Sequence, residues 1–401
     1  MGNRTNGNWI GAERRPAADG DRFELQAVAG GAQPLGSWPR SRSLDLRDAL
    51  EAAQGASAWA ATPVGERCEV VARALDLLAD DPDPDGISAR ATGLDAGELD
   101  EHMDALWTRL DGAADEDPWR GSRNPILCAP HWSEFFSGYA DAILALEDGH
   151  TVCLVSSLPL PALADRLAET LQTAGVTPGA FNVLHDDQSG ALRCASELAA
   201  SGPVGGFCLS GPIDPPVAPV QSRTGRALPR KDLHFGAGLQ SRVASENKPR
   251  REFRRLSRGA AFVGLDEDIE VAAERILQRG LGRPVLGGQL PGQAGLVTCD
   301  PRVFSRFTEA LLMRLDTPEW AQKGLYCDPD VVRELLLARE LGLDEGATLI
   351  AESGPWAGGS SPSESAGGSL GWLVFTNVEP TMRLAGLTRP APMLLLMRGE
   401  A

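Results

Sequence analysis

The sequence predicts an α/β protein: a doubly wound parallel sheet followed by a second, smaller α/β domain. Three observations carry this. From residue 124 onward, short apolar runs alternate with helical stretches, the order that a parallel sheet with crossover helices requires. A Pro- and Arg-rich break interrupts the alternation at 211–258, and beyond it the alternation resumes. The expected division is a larger domain over 1–252, with the basic insertion at its boundary, and a smaller one over 253–401.

The elements follow in order. In "SLDLRDALEAAQGASAWA" (43–60), Leu46, Ala49, Leu50, Ala53 and Ala56 recur at helical spacing, with Ser43 or Asp45 able to cap. "TPVGERCEVVARALDLLADD" opens on Thr62 and Pro63 and sets Val70, Val71, Ala74, Leu75 and Leu78 on one helix face. "NPILCAP" (124–130) and "TVCLVSS" (151–157) are apolar runs of buried-strand type, followed by helices expected near 133–148 and 160–175. "GAFNVLHDD" and "VGGFCLS" are the next strands, with "SGALRCASELAA" helical between them.

The second region opens with "AAFVGLDEDIEVAAERIL", a strand, a turn capped at Asp266 and a helix. "VLGGQLPGQAGLVTCDPRVFSRF" (285–307) reads as a glycine-rich turn leading into a buried strand. Gly287, Gly288, Gly292 and Gly295 let the backbone pass where a Cβ would obstruct. Turns of this build often present a nucleophile, yet no Cys, Ser, Thr, His, Asp or Glu lies between Gly288 and Val297. "RVFSRFTEALLMRL" and "DPDVVRELLLAREL" are helical, 354–371 is a Gly/Ser-rich loop, and "APMLLLMRGEA" is a final apolar strand.

Composition excludes several classes. Hydrophobic residues make up 42% and charged residues 23%, ordinary for a globular chain, and the net charge of −17 argues against a nucleic-acid binder. The segment 221–258 departs from this with eleven basic and three acidic residues: a solvated loop, or a site for an acidic partner. Seven scattered cysteines without a C-x-x-C read as free thiols of a reducing compartment, and five separated histidines form no metal-ligand spacing. With no apolar signal core and no run of membrane-spanning length, a cytoplasmic protein is expected. "GAGLQS" (236–241) and "GLGRPV" (280–285) lack the third glycine of a dinucleotide fingerprint. "GGSLG" (367–371) sits in a loop with no histidine downstream, which rules out a hydrolase elbow.

The segment order resembles the aldehyde dehydrogenase superfamily. "DLRDALEAAQGASAWAATPVGERCEVVARALDLL" is similar to the family's opening helices. "APHWSEFFSGYADAILALEDGHTVCLVSSLPLPALADRLAETLQTAGVTPGAFNVLHDD" resembles the run from its Pro-Trp-Asn strand end to its Asn-Val strand. "VGGFCLS", "GGQLPGQAG" and "LVFTNVEPTMRLAGLTRPAPMLLLM" stand where Phe-Thr-Gly-Ser, Gly-Gln-x-Cys and the late Val-Phe…Glu-Glu-x-Phe-Gly-Pro-Val stretch would be. The resemblance implies an NAD-binding-type domain followed by a catalytic-type domain, and NAD(P)-dependent aldehyde oxidation through a Cys nucleophile, an oxyanion donor and a Glu base.

Position by position, the implied groups are missing. The Cys position falls on Pro291, the oxyanion Asn on Trp132, and the base on or near Arg254. The ribose-holding Lys falls on Val155 and the nearby Glu on Leu158. The turn glycine falls on Leu209, with its serine kept as Ser210, and the later ribose Glu falls on Thr388. The resemblance thus implies a degenerate member without catalytic residues, Ser210 being the one cofactor-side group retained. No cofactor is expected, NAD or NADP being the candidate if one binds.

The family also carries a β-hairpin before the strand at 124–130 and a final strand that pairs with another subunit. "LWTRLDGAADEDPWRGSRNP" leaves little room for the first, and the sequence stops before the second. The second domain is therefore expected to be incomplete, with Pro392–Met397 ending at an uncompleted sheet edge. A protein partner, such as an intact dehydrogenase-like chain, would cover that edge; neither nucleic acid nor membrane is expected to bind. Scaffolding or regulation is the leading expectation. An NAD(P)-dependent oxidoreductase or cofactor sensor with an atypical site, a binder of acidic ligands through 221–258, and a decaying gene product are the alternatives.

Overall fold

A computed structural model describes residues 6–28, 33–113, 125–187, 204–211, 250–283, 286–317, 320, 325–326, 328–353, 371–387 and 389–399. The expected helix at 189–200, the insertion through 249 and the Gly/Ser loop at 354–370 lie outside the described residues. The chain divides into two units, the first running through Gly211 and ending with 238–254, the second comprising 212–237 and 255 onward.

In the first unit the strands β5 (Ile126–Ala129), β6 (Val152–Ser157), β7 (Phe181–Asp186) and β8 (Gly206–Gly211) form the parallel core. All four are buried along their whole length, because helices cover both faces. Antiparallel β1 (Asn8–Ile10) and β2 (Glu13–Arg15) extend one side and β9 (Arg250–Arg255) the other, giving the order β2-β1-β7-β6-β5-β8-β9. A separate hairpin, β3 (Arg22–Gln26) with β4 (Pro34–Pro39), buries Trp38. None of these N-terminal strands shows in the sequence pattern, since each is short and β2 is three exposed charged residues.

The helices are α1 (Ser43–Gly55), α2 (Ser57–Ala61), α3 (Val64–Asp80), α4 (Ile87–Thr92), α5 (Ala96–Ala113), α6 (Ala140–Glu147) and α7 (Pro161–Ala174). Asp45 serves α1 from its third position rather than as the cap: its carboxylate accepts from the N–H of Arg42 and of Ala18. The stretch expected to run as one helix over 133–148 is broken. A 3-10 segment, Trp132–Tyr139, carries Phe135 at φ 48° and ψ −135° before α6 begins.

In the second unit the order is β10 (Gly259–Val263), β11 (Ala294–Cys299), β14 (Met393–Arg398), β13 (Trp372–Thr376), β12 (Thr348–Ser353), parallel except for β12. Helices α8 (Ile269–Leu281) and α9 (Phe304–Leu315) pack a core on one face; α10 (Pro329–Glu345) packs another on the opposite face. Asp268, not Asp266, caps α8, accepting from the N–H of Glu270 and Val271.

The last strand corrects an expectation. The run Pro392–Met397 is not at a sheet edge: β14 lies between β11 and β13, and Met393–Met397 are buried. An almost uninterrupted apolar run is what a central strand requires, so its hydrophobicity marks position in the sheet rather than an uncovered margin. No described helix is long and apolar enough to cross a membrane.

Candidate functional site

The first unit's sheet has a switch point. From β5 the chain moves to β6 and then β7 on one side, whereas β8 lies on β5's other side. In open parallel sheets ligands bind outside the carboxyl ends of the strands where the order reverses. At that place β5 delivers His131, Trp132, Ser133 and Glu134, and β8 delivers Leu209 and Ser210.

These residues close on one another. The His131 N–H donates to Ser210 Oγ at 2.8 Å, and the Ser210 hydroxyl donates to Glu134 Oε2. Glu134 Oε1 accepts from Arg109 of α5 at 3.3 Å; Arg109 also donates to both Asp141 oxygens, at 3.1 and 2.9 Å, and to the Ser137 carbonyl. The Cys208 thiol reaches Asp141. The His131 ring Nδ1 lies 2.7 Å from Ser133 Oγ. Trp132 is buried, its ring 5.7 Å from that of His131 and 6.4 Å from that of Phe135. Phe135, despite its unfavourable backbone, stacks on His102 of α5 with ring centroids 4.1 Å apart.

The electrostatics follow from burial. The side chains of Glu134 and Asp141 are 6% and 5% exposed and share one guanidinium. Burial raises the Glu134 carboxyl to about 7, against the pull of Ser210 and Arg109, and burial also raises Asp141. Burial lowers the His102 imidazole to about 4. The cluster can therefore hold a proton at Glu134 near neutrality, while Ser210 is engaged on both sides instead of being presented to solvent.

The second unit's glycine-rich turn has a structural explanation. Gly287 and Gly288 take φ of 65° and 93°. A Cβ on Gly288 would lie 2.4 Å from the Gly280 carbonyl oxygen and 2.9 Å from Pro392 Cα. Buried Gln289 then staples the turn. Its amide donates to the carbonyls of Leu286 and Tyr326 at 2.9 and 2.6 Å, and its Oε1 accepts from the N–H of Asp328, the cap of α10. Pro291 follows, half-buried, without an N–H to give. The turn's glycines and Gln289 thus have packing roles, and Pro291 carries no reactive group.

No protein-family model matches the sequence. Malonate-semialdehyde dehydrogenase 3 of Geobacillus kaustophilus is 24% identical over 265 residues, 64% of this chain and 48% of that protein. Acetaldehyde dehydrogenase of Pseudomonas aeruginosa is 38% identical over 73 residues, 18% of this chain and 14% of that one. The chain thus spans less than half the length of the curated relatives it matches. Among solved structures, an NAD-dependent aldehyde dehydrogenase from Sinorhizobium meliloti superposes with a TM-score of 0.75 at 18% identity, covering 100% of this chain and 79% of the other. A salicylaldehyde dehydrogenase from Pseudomonas putida G7 gives 0.73 at 15%, covering 99% and 81%. The chain has the aldehyde dehydrogenase fold.

Within this aldehyde dehydrogenase fold the positions carried over from the sequence scatter. The structure brings Trp132, Leu209 and Ser210 to the switch point. Val155 lies inside β6, fully buried among Leu46, Leu127 and Leu184, and Leu158 packs beside Trp38 and Ile87 just past that strand. Arg254 lies on β9 at the sheet's margin, its side chain outside what is described, and Thr388 is outside the described residues altogether. Pro291 belongs to the other unit.

A dinucleotide needs partners for ribose hydroxyls and a cradle for its phosphates. Of the carried-over positions whose side chains are described, Trp132, Val155, Leu158, Leu209 and Pro291 offer no hydroxyl or charge, and the Ser210 hydroxyl is held by the Glu134 carboxyl. The carried-over positions whose side chains are described do not fit the cofactor. Three of the described thiols are shifted away from reactivity: burial pushes Cys153 up to about 12 and Cys299 up to about 11, and raises Cys68 too, whereas a reactive thiol needs the opposite shift. Among the described residues, no group of His, Cys, Asp and Glu could hold a metal ion.

The sequence reading missed Arg109, Glu134, Asp141 and Gln289. The acids sit at helical spacing among apolar residues and look like a solvated face; only "GGQLPG" as a whole hinted that Gln289 mattered.

Proposed function

We propose that this chain is an aldehyde-dehydrogenase-fold protein that acts by binding, as a scaffold or regulatory subunit, rather than by oxidising aldehydes. One observation carries the reading: where the strand order reverses, Trp132 is buried and the Ser210 hydroxyl is held by Glu134, which is paired in turn with Arg109. The apolar Val155 and Leu158, the raised thiols and the packing role of the Gln289 turn support it. The competing reading, an NAD(P)-dependent oxidoreductase or cofactor sensor with an atypical site, is favoured by the names of the similar proteins. One of the solved structures is an indole-3-acetaldehyde dehydrogenase complexed with NAD+.

Calorimetric titration of the full chain with NAD and NADP separates them. The binding reading expects no heat up to millimolar cofactor, an affinity weaker than about −4 kcal/mol, and no cofactor reduction across a panel of aldehydes. Micromolar binding of either dinucleotide would refute it and make the oxidoreductase or sensor the working function.

A further inference from the structure

Among the described residues, Cys68, Cys128, Cys153, Cys208 and Cys299 are free thiols. Burial raises Cys68, Cys153 and Cys299. The remaining two stand side by side. Cys128 is on β5 and Cys208 on β8, and the parallel register pairs one directly with the other. Neighbouring strands lie about 4.8 Å apart, within the Cα separations of about 4.4–6.8 Å that disulfides bridge.

Register partners on parallel strands turn their side chains to the same face of the sheet, and alternation fixes which face it is. Leu127, Ala129, Phe207 and Leu209 pack with Leu46, Ala49 and Leu50 of α1. Cys128 and Cys208 therefore lie on the opposite face, where α6 packs and where the Cys208 thiol donates to Asp141. Both thiols are buried, Cys128 being 1% and Cys208 5% exposed.

This setting suits oxidation by a small molecule. Asp141 touches the Cys208 thiol, and burial makes its carboxyl hold a proton more readily. It can act as the base that takes the thiol proton while the sulfur attacks. Burial keeps bulky reagents away, whereas hydrogen peroxide, close to water in size, enters when the strands open locally.

We propose that Cys128 and Cys208 form a redox-sensitive pair, closed by hydrogen peroxide to a disulfide between β5 and β8. The Cys208 sulfur attacks one peroxide oxygen as its proton passes to Asp141. The O–O bond breaks, and the departing hydroxide takes that proton and leaves as water. The Cys128 sulfur then attacks the Cys208 sulfenic acid: the S–S bond forms, the S–O bond breaks, and hydroxide leaves with the Cys128 proton as a second water. Two thiols lose two electrons in all, and one peroxide is reduced to two waters.

The strand spacing exceeds the mean Cβ separation of about 3.8 Å in disulfides, so the bond pulls the two strands together and is strained. Strained disulfides are easily reduced, as a reversible switch requires. Closing the bond also withdraws the Cys208 donor from Asp141, the acid that shares Arg109 with Glu134 at the switch point. The pair's chemistry is independent of whether any cofactor binds, so it goes beyond the binding role above by giving it a control.

Peroxide treatment of the full chain, followed by peptide mass spectrometry and by hydrogen exchange over 131–139, tests the proposal. The expected result is a linked Cys128–Cys208 peptide, a loss of two of the seven thiols titrated in denaturant, recovery of both with dithiothreitol, and faster 131–139 exchange in the oxidised chain. Cys128→Ser should stop the reaction at a Cys208 sulfenic acid that dimedone traps. Met313, 71% exposed, reports the dose through its sulfoxide. No Cys128–Cys208 link at a dose that oxidises Met313 overturns the proposal, and this outcome needs no variant to fold. So does a link from either cysteine to a different one, or a Cys128–Cys208 link that leaves 131–139 exchange unchanged.

Discussion

Glu134 and His102 titrate against each other, and separating them tests the account of the switch point. The Glu134 carboxyl is raised from 4.5 to about 7 in the folded chain. A raised carboxyl stabilises the fold below its unfolded value, and that contribution is lost as pH rises through the folded one. Between pH 5 and 7 the loss is about 2 kcal/mol, since each pH unit between the two values carries about 1.4 kcal/mol. His102 runs the other way. Its imidazole is lowered from 6.5 to about 4, so its contribution is intact above the unfolded value and is lost as pH falls, again about 2 kcal/mol over the same interval. The two slopes nearly cancel, and the wild-type chain should show a flat contribution from this pair. Glu134→Gln should leave stability rising from pH 5 to 7, and His102→Phe should leave it falling, each by about 2 kcal/mol relative to wild type. Urea denaturation at several pH values, followed by tryptophan fluorescence, reads both slopes. If Glu134→Gln and wild type show the same pH dependence, Glu134 is ionised throughout, and the Arg109 pair outweighs burial.

Other outcomes follow from the second unit and the carried-over positions. Gly288→Ala should cost about 2–4 kcal/mol in urea unfolding, because a positive φ and a 2.4 Å approach to the Gly280 carbonyl oxygen must both be relieved. Gln289→Leu should cost about 2–3 kcal/mol, since two carbonyls and the Asp328 N–H lose their partner in a buried turn. Pro291→Cys should produce no aldehyde oxidation in a cofactor-reduction assay, because Trp132 and Val155 still replace the groups that the chemistry needs around a thiolate. Detectable turnover would show that the rest of the machinery is present.

Where packing is repetitive, the fold is readable in the sequence. The runs that form β5, β6, β7 and β8 are centred on apolar residues, and α7 opens on a proline and ends at Gly175 in the left-handed region, so both boundaries are visible. Of the N-terminal strands, β1 and β2 are illegible because three-residue strands carry no periodicity. The break at Phe135 is illegible because neither its φ of 48° nor its stacking partner, His102, 33 positions away, shows in the local pattern. The candidate site divides along the same line. Trp132 and Ser210 are located by resemblance, but Glu134 and Asp141 are not, since an acid reveals itself as buried only when Arg109 arrives from α5. The final strand misleads for a physical reason: a long apolar run near the end of a chain reads as a margin, although full burial is the mark of a central strand.

The buried indole of Trp132 has a consequence for how such a chain could regain a ligand. Trimming it in Trp132→Ala would cost about 3–5 kcal/mol and open a void at the end of the sheet where small molecules ordinarily lodge. Added indole or a similar flat heterocycle should refill that space and restore much of the lost stability. The plug is thus also a template: the shape of what now excludes ligands specifies the first molecule that a single codon change would admit.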